Sequence, residues 1–368
     1  MFDPFKRARS KAAGKARRAT VKAMTNAWGT MLAPTKPVKP KVQKKPEPAA
    51  PERKGAFRRD RSTVESKIPR TAKSTMSVPR GASFSEATYE SEFGTRSYML
   101  YVPKIAKVAD DPLPLIVMLH GCGQTPKDFA RGTGMNALAE ELGFLVLFPA
   151  QARDAHHQRC WNWYHRGDQA RGAGEPALLA GLTHHIIDNE QVDPAKVYVA
   201  GLSAGAAAAL ILATAYPDIF AAVGVHSGLA VGAAHDKSTA PRAMQLGDPG
   251  QRHDAPIPSI IFHGNADKVV NPRNGRFVAI RAVEPFGSLE MSEESGRIPD
   301  GREYIRTVHR IGKGRPLVEL WVVQGAGHAW SGGHAAGSYT DPKGPDASRE
   351  IARFFLRHRT TKKRRRAH

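Results

Sequence analysis

From about residue 83 onward, apolar residues fall in short unbroken runs separated by stretches of helical spacing. Leu115-Ile-Val-Met-Leu119, Leu145-Val-Leu-Phe148 and Val197-Tyr-Val199 are such runs, as are 221–226, 259–263 and 317–323. They are too short for helices, and an unbroken apolar run is what a strand carries when both faces of its sheet are covered. Between them the spacing predicts helices over 134–142, 176–189 (with Pro176 in the first turn) and 346–358. Residues 83–102 read as an antiparallel hairpin, with Gly94-Thr95 near the turn and 96–102 as the second strand. Strand–helix alternation of this kind predicts an α/β domain over 83–358, a mostly parallel central sheet with helices on both faces.

The ends of the chain read differently. Residues 34–79 are dominated by Pro, Lys and Arg, the composition of an extended linker, so 1–82 is expected to be a largely disordered leader. Within it, Val21, Met24, Trp28, Met31 and Leu32 follow three- and four-residue spacing, which predicts an amphipathic helix at 17–33. Charge sharpens the division. The formal net charge is +21, but residues 1–80 carry 22 basic and 5 acidic residues, and 357–368 carry seven basic residues and no acid. The stretch between has 26 basic and 29 acidic residues. A near-neutral core with basic ends, including a tail at 359–368, argues against a fold built to bind specific nucleic acid and for appended basic arms. The leader suits an anionic or granular surface, and the plainer reading is a solvated, disordered segment. No run of eighteen apolar residues suggests a transmembrane segment, and Met1-Phe-Asp-Pro-Phe-Lys-Arg7 lacks the marks of a secretory signal.

The chemistry gathers around Gly201-Leu-Ser-Ala-Gly205, which follows the apolar run at 197–199 and precedes an Ala-rich helical stretch. Strand, G-x-S-x-G and helix in that order form a nucleophile elbow, which exposes the Ser203 hydroxyl on a sharp turn. The plainer reading is a glycine-punctuated turn whose serine caps the helix. A serine nucleophile needs a base and an acid to orient it, and in the α/β-hydrolase order both follow the serine on loops after later strands. Asp267 lies just past the run at 259–263, and His328 lies past the run at 317–323. His226, His263, His309 and His334 compete with His328, and Asp236 and Asp254 with Asp267, but order and position favour the first pair. Oxyanion donors are expected from the backbone N–H of Ala204 and, on the loop His120-Gly-Cys-Gly-Gln124, from that of Cys122; His120 reads as structural.

Leu-His-Gly-Cys-Gly-Gln (119–124), Gly-Thr-Gly-Met-Asn (132–136) and Cys-Trp-Asn-Trp (160–163) belong to a distinctive set. Gly-Leu-Ser-Ala-Gly (201–205), Val-His-Ser-Gly-Leu (225–229) and Gly-Ala-Gly-His-Ala-Trp-Ser-Gly-Gly (325–333) complete it. Together, over roughly 85–358, they resemble the polyhydroxybutyrate depolymerase family of esterases, which is similar to acetyl-xylan and feruloyl esterases. The resemblance implies an α/β-hydrolase fold and a Ser203–Asp267–His328 triad. It also implies an extracellular setting, against which the missing signal leaves a cytoplasmic or granule-associated one open.

Two readings of Cys122 and Cys160 stand side by side. Each alone is a small buried hydrophobe; bridged in an oxidising compartment, they would tie the oxyanion loop to the Trp-Asn-Trp loop. Trp161, Trp163 and Trp330, on loops at the catalytic rim, are expected to wall the substrate site. The function expected is hydrolysis of carboxylic esters through an acyl-enzyme, with no cofactor and no metal, on polyhydroxybutyrate or 3-hydroxyacid oligomers. Feruloyl or acetyl-xylan esters are the alternative. A non-catalytic granule- or surface-binding protein on a hydrolase scaffold is the alternative of another class.

Overall fold

In the computed structural model the apolar runs become the centre of one ten-stranded sheet, of order β1-β2-β4-β3-β5-β6-β7-β10-β9-β8. The parallel strands are β3 (Leu113–Leu119), β4 (Leu145–Pro149), β5 (Val192–Leu202), β6 (Ala222–His226), β7 (Ser259–Gly264) and β10 (Pro316–Val323). Leu115 to Leu119 are all fully buried, which is why this strand shows no alternation. β1 (Ser83–Ser91) and β2 (Gly94–Val102) form the expected hairpin, and β2 runs antiparallel beside β4. The structure describes residues 78–366. The expected helix at 17–33, most of the linker, and the surface-binding reading built on them lie outside the described residues.

Helices cover the sheet: α1 (Pro126–Thr133), α2 (Met135–Leu142), α3 (Gly174–Asn189), α4 (Ala204–Ala215), α5 (Ala240–Leu246), α6 (Arg273–Val283) and α7 (Ala347–Phe355). Tyr198 of β5 stacks on Phe355 of α7 with ring centroids 4.9 Å apart, and Phe262 of β7 stacks on Trp321 of β10 at 5.2 Å. Full burial of such rings contributes about 1.5–3 kcal/mol each. Among the described residues no helix is long and apolar enough to cross a membrane.

Two features depart from the sequence reading. β8 (Glu290–Arg297) and β9 (Glu303–Arg310) add an antiparallel pair at the β10 edge, beyond the strands read from the apolar runs. β8 reads Glu-Met-Ser-Glu-Glu-Ser-Gly-Arg and is exposed almost throughout, so it carries no apolar signal. Its charges suit an edge that must not recruit another strand. At the other departure, packing continues past residue 358. Thr360 N–H donates to Ala195 O at 2.9 Å, a short helix α8 (Lys362–Arg366) follows, and Arg364 donates to Phe220 O at 3.0 Å.

A buried carboxylate ties the β10 edge together. Glu319 of β10 is fully buried and accepts from Arg306 Nε (3.1 Å) and Nη2 (2.9 Å) of β9, and from Arg353 Nη2 (2.7 Å) of α7. Burial alone would raise its pKa, but hydrogen bonds and charge from Arg306 and Arg353 outweigh that and lower it. The cluster holds α7 and β9 against the strand that leads to His328. Glu319→Ala is predicted to cost about 3 kcal/mol of unfolding free energy, the low end for removing one partner of a buried pair, because both arginines can turn toward water. Urea titration measures this; a loss below about 1 kcal/mol would remove the cluster from that role.

Candidate active site

Ser203 sits between β5 and α4 with φ 58° and ψ −119°, a left-handed φ unusual for a residue with a side chain. Its neighbours explain how the turn closes. A Cβ on Gly201 would lie 2.3 Å from Gly205 O, and one on Gly205 would lie 2.1 Å from Leu119 O. Both obstacles are backbone, so only glycine fits on either side of the serine. Ser203 N–H donates to His226 O at 2.9 Å, and its carbonyl accepts from Ala206 and Ala207, each at 3.0 Å. Its hydroxyl makes no capping bond to α4, so the reading of Ser203 as a helix cap is set aside. Ser203 lines instead a cavity of about 540 Å³ that His328 also lines.

Asp267 follows β7 and His328 follows β10, on two loops that the backbone joins. Asn265 N–H donates to Val323 O and Ala266 N–H to Ala326 O, both at 3.0 Å. Across that junction His328 Nδ1 lies 2.7 Å from Asp267 Oδ2. The Asp267 side chain is fully buried, and its Oδ1 accepts from the N–H groups of Val269 (2.8 Å) and Val270 (2.9 Å). His263 Nε2 approaches Oδ2 at 3.4 Å and lies 2.9 Å from Val270 O. Burial alone would raise the carboxyl's pKa, yet hydrogen bonds from His263, His328 and the Val270 amide hold it well below the ordinary range. His263 was read only as a rival base; its position four residues before Asp267 at a strand end is the signal that could have made it the acid's second partner. No hydrogen bond joins Ser203 to His328 in this structure. Such contacts commonly tighten only when substrate is bound.

The expected oxyanion donors stand beside this cavity. Gly121 N–H donates to Gln124 Oε1 (2.9 Å), Gly123 N–H to Gln158 O (2.7 Å) and Gln124 N–H to Gly121 O (3.2 Å). Among the described residues nothing accepts the N–H of Cys122, which lines the cavity. Ala204 is the first residue of α4, where helical N–H groups have no partner within the helix and the dipole is positive. Cys122 is bridged to Cys160. Beneath the Cys160–Trp163 loop, buried Glu175 accepts from Asn162 N–H (2.8 Å) and Asn162 Nδ2 (2.9 Å) and from Gln151 Nε2. Burial raises the Glu175 pKa.

Of the three tryptophans, only Trp163 lines the cavity. Trp161 is fully buried, and its Nε1 donates to His120 O at 2.9 Å, which holds the oxyanion loop from below. Trp330 is also core: it stacks on His226 at 4.9 Å and donates to Ser348 Oγ at 3.0 Å. An indole N–H needs a partner when buried, and both found one inside the protein, not at the rim. The other walls include Tyr164, Leu229, Met244, Val269, Val270 and Tyr339. Tyr339 stands at φ 52° and is 54 % exposed, and no pattern in the sequence singles it out. The rival acids lie elsewhere: Asp254 is exposed, and Asp236 binds Ser238 and Thr239.

The profile of the esterase PHB depolymerase family matches residues 96–290, more than half of the sequence and inclusive of Ser203 and Asp267. The chain belongs to the PHB depolymerase family. It is 31% identical over 257 residues to poly(3-hydroxyalkanoate) depolymerase C of Paucimonas lemoignei, which covers 66% of this chain and 61% of that protein. It is also 31% identical over 229 residues to the probable acetylxylan esterase A of Aspergillus clavatus, covering 55% and 71%. This chain therefore spans less than two thirds of the length of the depolymerase it matches. The acetyl xylan esterase structure from Aspergillus awamori aligns with a TM-score of 0.58 at 20% identity over 74% of this chain and 99% of that one, a likeness of fold alone.

In this PHB depolymerase family member, two neutral histidines prop the loops around Ser203. His120 Nδ1 lies 2.8 Å from Gly121 O, and its Nε2 accepts Gln151 N–H at 3.1 Å. His226 Nε2 accepts Ser331 N–H at 3.0 Å. Burial is the main cause that pushes their pKa values down, to about 4 for His120 and about 3 for His226, where the nearby His263 and His328 add to it. A histidine whose folded pKa lies below its unfolded value near 6.5 binds more protons unfolded. Its contribution to stability is complete above that value and is lost as pH falls toward the folded pKa. The low pKa of Asp267 acts only further down, below about pH 4. Stability is therefore predicted to fall between pH 6.5 and pH 4, with a slope approaching about 1.4 kcal/mol per pH unit for each fully titrating histidine. Urea unfolding at pH 7, 6 and 5 checks this, and equal stabilities at the three would refute it.

Proposed function

We propose that this chain is a serine esterase that hydrolyses carboxylic esters through an acyl-enzyme, with Ser203 as nucleophile, His328 as general base and Asp267 as the acid that orients it. The observation that carries the reading is the 2.7 Å contact of His328 with a buried, ionised Asp267 at the cavity that also holds an uncapped Ser203. In this reading His328 takes the hydroxyl proton as Oγ attacks the ester carbonyl. Asp267 fixes the imidazole tautomer and balances the imidazolium charge, and the amides of Cys122 and Ala204 receive the developing oxyanion. His328 then protonates the leaving alcohol and activates water for deacylation. Walls of Leu229, Met244, Val269 and Val270 support an aliphatic acyl chain, as in a polyhydroxybutyrate or 3-hydroxyacid oligomer, over an acylated sugar.

Ser203→Ala is predicted to lower kcat on p-nitrophenyl butyrate by about 10⁴–10⁶ with little change in Tm, and His328→Ala to match it, since members of a triad act as a unit. Asp267→Asn should lose at least about a hundredfold. A Ser203→Ala enzyme with a tenth of the original turnover would return the chain to the non-catalytic scaffold reading, and a larger loss in Asp254→Asn than in Asp267→Asn would displace the acid.

The disulfide is proposed to hold the oxyanion loop in register with Trp163. It closes a loop of 38 residues, so its loss should cost about 3–4 kcal/mol of stability. With Cys122 an oxyanion donor, the double variant Cys122→Ala/Cys160→Ala should also show a lower kcat with a nearly unchanged KM. Steady-state kinetics beside urea unfolding would show it; an unchanged kcat would confine the bridge to stability.

A further inference from the structure

The cavity at Ser203 is apolar over most of its wall, but one rim gathers His156, His157 and Lys237, and no aspartate or glutamate lines it anywhere. The His156 and His157 rings stack 5.0 Å apart. His156 Nδ1 accepts the N–H groups of Gln158 (3.2 Å) and Cys160 (3.4 Å), which puts the proton of the neutral ring on Nε2. The lysine ion pairs among the described residues are those of Lys127 and Lys196, so Lys237 has none. The acids nearest in sequence do not line the cavity, and their oxygens accept local hydrogen bonds. Asp236 accepts from the amides and hydroxyls of Ser238 and Thr239, and Asp154 accepts the N–H of Ala155. Burial, then the charges of His157 and Lys237, lowers the His156 pKa, as expected of like-signed groups crowded without an anion between them.

Donors and a positive charge, with no carboxylate among the residues that line the cavity mouth, match an anion brought by the substrate. We propose that this rim binds the free carboxylate of the substrate through Lys237 and His156, which makes the preferred ester a short hydroxy-acid oligomer cut near its carboxylate end. The inference rests on the esterase reading above. The carboxylate lies on the alcohol side of the scissile bond, so the first product to leave is a hydroxy acid carrying that charge, and the acyl chain remains against the apolar walls. An interior ester of a long polymer offers no charge at this position, so the rim separates oligomer from polymer.

The test compares the linear dimer of 3-hydroxybutyrate, a single ester with a free carboxylate, with its neutral methylamide, and uses p-nitrophenyl butyrate as the control. The ratio of kcat/KM, acid over methylamide, should be about three- to tenfold in the unmodified enzyme, carried by KM. It should fall toward one in Lys237→Ala and persist in Lys237→Arg. In 1 M NaCl, where the Debye length is about 3 Å, it should shrink in the unmodified enzyme as well. A ratio that is the same in the unmodified enzyme and in Lys237→Ala overturns the proposal, as does a preference for the methylamide. Either result, with p-nitrophenyl butyrate still hydrolysed, leaves the esterase reading intact; no hydrolysis of any of the three would overturn both.

Discussion

Two backbone segments pass each other at the elbow at a separation that leaves no room for a Cβ. Gly205, in the first turn of α4, lies against the carbonyls of Leu119 and His120 at the end of β3, and Gly201, at the end of β5, lies against Gly205 itself. No rotamer can relieve such a contact, because backbone meets backbone; the sheet would have to open. That crossing holds Ser203 in its left-handed turn and also brings the 120–124 loop beside the start of α4. The proposed nucleophile and both proposed oxyanion donors therefore inherit their placement from one steric constraint, not from three separate ones.

Around that crossing, polar groups in the core hold the loops that the sheet does not. His120 and His226 each accept an N–H from a distant segment, at Gln151 and at Ser331. His226 also packs between Phe262 and Trp330. Each histidine performs this role as a neutral ring, which burial favours. Asp267 shows the opposite solution. Its charge is kept in the core because two amides and two imidazoles approach it. An ionised, multiply held carboxylate cannot swing, and an imidazole bound to it through Nδ1 has its other nitrogen left for the cavity.

The cavity walls come from loops that the sheet merely carries: 156–164, 229–244, 269–270 and Tyr339. Depolymerase and acetylxylan esterase relatives align to this chain at similar identity. A shared fold with chemistry set by loops is the usual arrangement in which such different esters are hydrolysed. In this chain the loops combine aliphatic walls with a basic rim that no carboxylate lines.

The sequence alone determined the parallel strands and the strand–turn–helix of the elbow, and it offered Ser203, Asp267 and His328 in the order that the proposed triad uses. Those features follow from local rules: a strand buried on both faces must be apolar throughout, and a turn that admits no Cβ must be glycine. The bridge between Cys122 and Cys160 was legible as one of two readings, and the structure chose it. Strand β8 was not legible, because an exposed edge strand has no apolar face to display. Nor was the fate of the tryptophans. Trp161 and Trp330 look like Trp163 in sequence, but only packing decides which indole finds a buried acceptor and which faces the cavity. His263 and His226 were likewise ordinary histidines until the fold set one beside Asp267 and the other beneath Ser331. The gathering of Lys237 with His156, eighty-one positions away along the chain, was decided only by tertiary structure, since the electrostatics of a rim depend on distance in space and on which acids are already engaged.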